Sequence, residues 1–153
     1  MKKIIFISLI IFLSNCAGYK PIFTSDQTDF YIKKIEISDD SKLIRKLIKN
    51  LKPYSVDNGK KSMTLKLDLN KQENIIMKDA KGDPASYEIK IELNVDVITM
   101  NGTNKLNFKE NFTFNNQSNK FELNQYKNKL EKNMVYKIIQ DIGIFFSVIQ
   151  NDM

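Results

Sequence analysis

The sequence predicts an α+β domain: a two-layer sandwich whose four-stranded, mainly antiparallel sheet carries two helices on one face, in the order β-α-β-β-β-α. Three observations lead there. Apolar residues recur at helical spacing over 43–51 and again over 126–149. Before and between those stretches they alternate at period two, as in half-buried strands. An Asn101-Gly102 dipeptide, a strong hairpin signal, divides two of the alternating runs.

The chain opens with Met1, Lys2 and Lys3, followed by an apolar run from Ile4 to Leu13. A helix crossing a bilayer needs about 20 apolar residues, so this run is too short to span. A basic start and a short apolar segment ending near small residues describe a secretory signal. We expect residues 1–15 to be that signal, residues 16–29 a modified Cys16 and tether, and residues 30–153 one domain. Pro21 and the polar run Thr24 to Asp29 suit a tether.

Phe30 to Ile37 reads as the first strand. Its alternation slips at Lys33-Lys34, which predicts an edge position or a bulge. Ser38, Asp39, Asp40 and Ser41 are candidate caps for a helix whose apolar stripe is Leu43, Ile44, Leu47, Ile48 and Leu51. Pro53 is expected to end it. Met63, Leu65, Leu67 and Leu69 make a second strand, and the same parity resumes at Ile75 and Met77 after a polar middle. A long strand outrunning its covering helix would have this pattern. Asp79 to Pro84 is a turn.

Tyr87, Ile89, Ile91, Leu93, Val95 and Val97 alternate without a break. With Asn101-Gly102 as a two-residue turn, Val97 should face Leu106, Val95 Phe108, Ile91 Phe112 and Ile89 Phe114. Glu110 would then oppose Leu93, as an inward charge on an outer strand or at a local bulge. After the polar loop Asn115 to Asn119, Tyr126, Leu130, Met134, Ile138, Ile142, Phe145 and Ile149 form the stripe of a second helix, widened by Val135, Ile139 and Phe146. The outer sheet face is polar throughout, with Lys66, Asp68, Glu88, Lys90, Glu92, Asp96, Lys105 and Lys109.

Composition narrows the function. The formal net charge is +6, which falls to +4 once residues 1–15 are removed; this is too mild for a dedicated nucleic-acid binder. Histidine is absent, so the commonest general base and metal ligand is missing. Cys16 is the one cysteine. No nucleophile elbow, phosphate loop or dinucleotide fingerprint occurs. Glu88, Glu92 and Asp96 alternate with lysine and asparagine, as a solvated strand face does. The expectation is a protein that is not an enzyme and holds neither metal nor cofactor. Lys78 and Lys81, flanking the turn, with Lys60 and Lys61 ahead of the second strand, are the candidate contacts for phosphate groups. Solubilising surface is the plainer reading of them.

Leu13-Ser14-Asn15-Cys16 resembles the lipobox of bacterial lipoproteins, in which the cysteine sulfur takes a diacylglycerol and the signal is cut before it. Asn15 stands where that pattern has Gly, Ala or Ser. Ala17 lacks the aspartate that retains lipoproteins at the inner membrane, which favours the outer one. The segment Cys16-Ala17-Gly18-Tyr19-Lys20-Pro21-Ile22-Phe23 and the helix start Leu43-Ile44-Arg45-Lys46-Leu47 resemble the LPS-assembly lipoprotein (LptE) family in its alphaproteobacterial form. The resemblance implies lipid anchoring at Cys16. It also implies residence in the lumen of the large LPS-export β-barrel (LptD), support for that barrel's folding, and help in inserting LPS. No LPS-contact motif of the family maps onto the chain. The alternatives are an outer-membrane adaptor for a peptidoglycan-synthesis or secretion complex, and a periplasmic lipid-binding carrier.

Overall fold

A computed structural model of the chain describes residues 30–57 and 61–149. The elements are β1 (Phe30–Ile37), α1 (Lys42–Leu51) running into a 3-10 turn (Lys52–Ser55), β2 (Lys61–Lys78), β3 (Pro84–Thr99), β4 (Gly102–Asn115) and α2 (Lys120–Ile149). This is the expected order and class. The four strands lie side by side in chain order. β1 is parallel to β2, and the other two pairings are antiparallel.

Both consequences drawn from the slip at Lys33-Lys34 are present. β1 is an edge strand, and its register shifts between Ile32 and Lys34, leaving Lys33 without a ladder partner. The shift returns Ile35 to the helix-facing side, opposite Leu65.

Of the four candidate caps, Ser41 is used: its Oγ accepts from the Ile44 N–H at 3.3 Å. Ile44, Leu47 and Leu51 are buried beneath α1. The α-helix stops at Leu51, but Pro53 continues the chain inside the 3-10 turn, near whose start its missing N–H leaves no bond unmade. That turn places Tyr54 against Phe30, ring centroids 6.4 Å apart, with Phe146 edge-on to both at 5.7 and 5.1 Å. The aromatic group ties β1, the turn and the end of α2 together.

The β3–β4 register differs from expectation by two residues. Val97 faces Asn104, Val95 faces Leu106, Leu93 faces Phe108, Ile91 faces Glu110 and Ile89 faces Phe112. Thr99 and Gly102 are the closing pair, so the connecting residues are Met100 and Asn101. A primed turn on Asn101-Gly102 needs positive φ at both positions. Here Asn101 stays at negative φ, and Gly102 alone is positive at +143°. Thr99 Oγ1 secures the turn, accepting from the Asn101 N–H and donating to the Gly102 carbonyl, each at 3.3 Å. An even shift keeps every side chain on its expected face, which is why the core survives the change of partners.

β2 is one strand of 18 residues, about 60 Å long, whereas α1 spans about 15 Å. It does outrun its helix, and its residues from Asn70 onward are exposed. The parity expected to resume at Ile75 and Met77 does not hold. The register slips between them and sets Met77 opposite Ser86, while Ile75 faces Tyr87. Both are about half exposed.

α2 is capped by Asn119, whose side-chain oxygen accepts from the N–H groups of Phe121 and Glu122 at 3.0 and 3.3 Å. Leu123, Leu130, Met134, Val135, Ile138, Ile142 and Phe146 are buried along it. Tyr126, expected in the core, is 39% exposed, although its ring still meets Phe114 edge-on at 6.0 Å.

Candidate functional site

The helices cover one face of the sheet; the other carries no element of the described chain. Its paired positions form rows that run across the strands. Lys66 is opposite Asp96, which is opposite Lys105, and Glu36 of β1 is the ladder partner of Lys66, so the signs alternate across all four strands. Glu36 also meets Lys34 at 2.8 Å and Lys66 at 3.6 Å. The hydrogen bond from Lys34, then its charge, with Lys66 beyond, hold the Glu36 carboxyl below the usual carboxylate range.

A second knot centres on Asn107, whose Nδ2 donates to Glu92 and Asn94 at 2.6 Å each. Glu92 also meets Lys109 at 3.1 Å. The Asn107 hydrogen bond, followed by that from Lys109, lowers the Glu92 pKa. Lys34, Lys66, Lys90, Lys105 and Lys109 at the paired positions are matched by Glu36, Asp68, Glu88, Glu92 and Asp96. The face is polar, hydrogen-bonded within itself and close to neutral. Such a surface can lie against a polar wall without leaving an uncompensated charge.

The lysines suggested as phosphate contacts do not converge. Lys78 ends β2, and Lys81 lies in the adjoining turn, where Asp79 Oδ1 accepts from the Lys81 and Asp83 N–H groups at 2.9 Å. Gly82, at φ +87°, takes the left-handed position there. Both lysines are exposed, and among the described residues neither forms an ion pair. Lys61 begins β2 at the strand's other end, the length of β2 away. Lys60 lies outside the described residues, as do Cys16, the tether and the signal segment.

Lys42 and Lys46, on the polar side of α1, line an open groove between the helices together with Lys132 of α2. Periodicity identifies each helix's polar face but carries no information about which polar faces meet.

No protein-family model matches this sequence, and no curated protein matches it closely enough to count as a relative. Solved structures do match. Rare lipoprotein B of Shewanella oneidensis superposes with a TM-score of 0.55 at 11% identity, over 76% of this chain and 98% of that one. Lipoprotein B of Nitrosomonas europaea gives a TM-score of 0.56 at 12% identity, over 82% of this chain and 88% of that one. At such identities the likeness is one of architecture. The chain has the α+β fold found in these bacterial lipoproteins.

Proposed function

We propose that this chain is an outer-membrane lipoprotein, anchored through acylated Cys16, whose domain sits in the lumen of a large LptD-like LPS-export barrel. There it supports assembly of the barrel and assists LPS insertion, acting as a structural subunit and not as an enzyme. The observation that carries this reading is the uncovered sheet face, polar and charge-balanced across all four strands. The lumens of outer-membrane barrels are polar, so a domain enclosed in one must present hydrogen-bonding surface to the wall. The lipoprotein fold and the lipobox-like run ending at Cys16 support the same reading.

A photo-crosslinking amino acid at Asn94, central on the uncovered face, tests it in cells. The expected product is an adduct with one large barrel protein. Adducts solely with a peptidoglycan-synthesis or secretion protein would replace this reading with the adaptor one. Cys16→Ser is expected to move the protein from the membrane pellet to the soluble fraction, because acyl chains supply the attachment.

A further inference from the structure

The two layers of the domain differ in charge. The sheet face is balanced, whereas α1 carries Lys42, Arg45, Lys46 and Lys49 with no acidic residue in the helix. In α2 the lysines outnumber the acids. Where helix meets sheet, opposite charges meet. Lys71 pairs with Glu131 at 2.7 Å, Glu73 with Lys127 at 2.6 Å, and Glu110 with Lys137 at 2.6 Å.

Where helix meets helix, like charges meet. Lys42, Leu43 and Lys46 of α1 and Asn128, Glu131 and Lys132 of α2 line an open groove of about 300 Å³. Glu131, the acid among them, is already held by Lys71. Among the described residues, no carboxylate lies within ion-pair distance of Lys42, Lys46 or Lys132. Lys46 Nζ rests 4.7 Å from the centre of the Tyr136 ring, which gives the ammonium a defined place at the groove wall. Burial there, then the charges of Lys132 and Lys42, hold the Lys46 pKa below the usual lysine value. Lys42 is also the first residue of α1, whose opening turn has no acidic side chain to answer the positive end of the helix.

We propose that this interhelical groove is a phosphate-binding site, with Lys42, Lys46 and Lys132 as its cationic donors. Three converging cations call for an anion of more than one charge, which a phosphate or diphosphate supplies and a single carboxylate does not. Lysine ammonium groups bind phosphate as mobile point charges, each able to donate to a different phosphate oxygen. The site is independent of the barrel reading, and its failure would leave that reading intact.

The test is calorimetric titration of the full-length lipoprotein in a neutral sugar detergent. Two probes are used: inorganic pyrophosphate and a deacylated headgroup, glucosamine disaccharide bisphosphate. Saturable pyrophosphate binding is expected, weakened roughly tenfold or more by Lys42→Gln with Lys132→Gln and unchanged by Lys78→Gln with Lys81→Gln. A headgroup that binds more tightly than pyrophosphate identifies a lipid-borne phosphate; one that binds no more tightly identifies a free one. Both results sustain the site. Absence of saturable binding would overturn it, as would equal loss in both double variants. Binding of a glutamate-rich peptide as tight as that of pyrophosphate would also overturn it, in favour of an acidic protein partner. Should the first double variant fail to fold, the exposed Lys132→Gln alone decides, with a weaker pyrophosphate affinity still expected.

Discussion

Glu110 points from the edge strand β4 into the space beneath α2, where its side chain is 15% exposed and meets Lys137 Nζ at 2.6 Å. No register shift interrupts β3–β4 at this point, so of the two accounts of Glu110 the inward charge applies and the bulge does not. Lys137 is 62% exposed and can return to water if its partner is removed. Glu110→Leu is therefore expected to fold, with a thermal midpoint near that of the parent. It also removes the charge that guards the edge, so sedimentation velocity should reveal self-association through β4. The hydrogen bond from Lys137 to Glu110, then the Glu110 charge, raises the Lys137 pKa. A raised lysine contributes stability that is complete below its unfolded pKa and is lost as pH rises through the folded value, in the alkaline range. Glu36 and Glu92 are lowered, so their contributions hold above the ordinary carboxylate range and fade as pH falls through their folded values. With no histidine to titrate between them, the thermal midpoint should be flat from about pH 6 to 8 and fall below about pH 4. A midpoint that changes steeply near neutrality would contradict this.

At the scale of elements, the hairpin shows what period two can and cannot specify. Alternation assigned every β3 and β4 side chain to its face. It could not choose between registers two residues apart, because both put the same residues inward. Turn geometry made that choice, through Gly102 at +143° and the Thr99 hydroxyl. A Cβ at Gly102 would meet nothing within 4 Å, so Gly102→Ala isolates the backbone effect. It is expected to destabilise the domain by about 1–3 kcal/mol in chemical denaturation, with no change in the steepness of the transition. A neutral result would mean that another turn is equally accessible. Helix starts were only partly legible. Ser41 is among the expected caps, whereas Asn119 lies within the polar run 115–119 that reads as loop, and its spacing to Glu122, that of a capping box, is the local signal for the helix start. The slip between Ile75 and Met77 had no local signal at all, since it arises from pairing with a β3 strand that begins at Pro84.

For the whole molecule, the layer arrangement was legible because two apolar stripes and one apolar sheet face require each other. The site was much less so. Lys78 and Lys81 stood out because a turn brings them close in sequence, whereas Lys42, Lys46 and Lys132 come together only when α1 and α2 pack, across about 90 residues of chain. The uncovered sheet face lies between these cases: its polarity is plain in the sequence, but its sign-alternating row appears only once Glu36, Lys66, Asp96 and Lys105 are in register. That balanced face gives the molecule one surface suited to enclosure and another, the helix layer, that concentrates positive charge. The most direct test of the central claim is affinity purification of the tagged protein from detergent-solubilised outer membranes, followed by mass spectrometry. A large β-barrel recovered in near-equal amount and retained through a high-salt wash is the predicted result. Recovery without a barrel, or with a cell-wall enzyme in its place, would contradict the account.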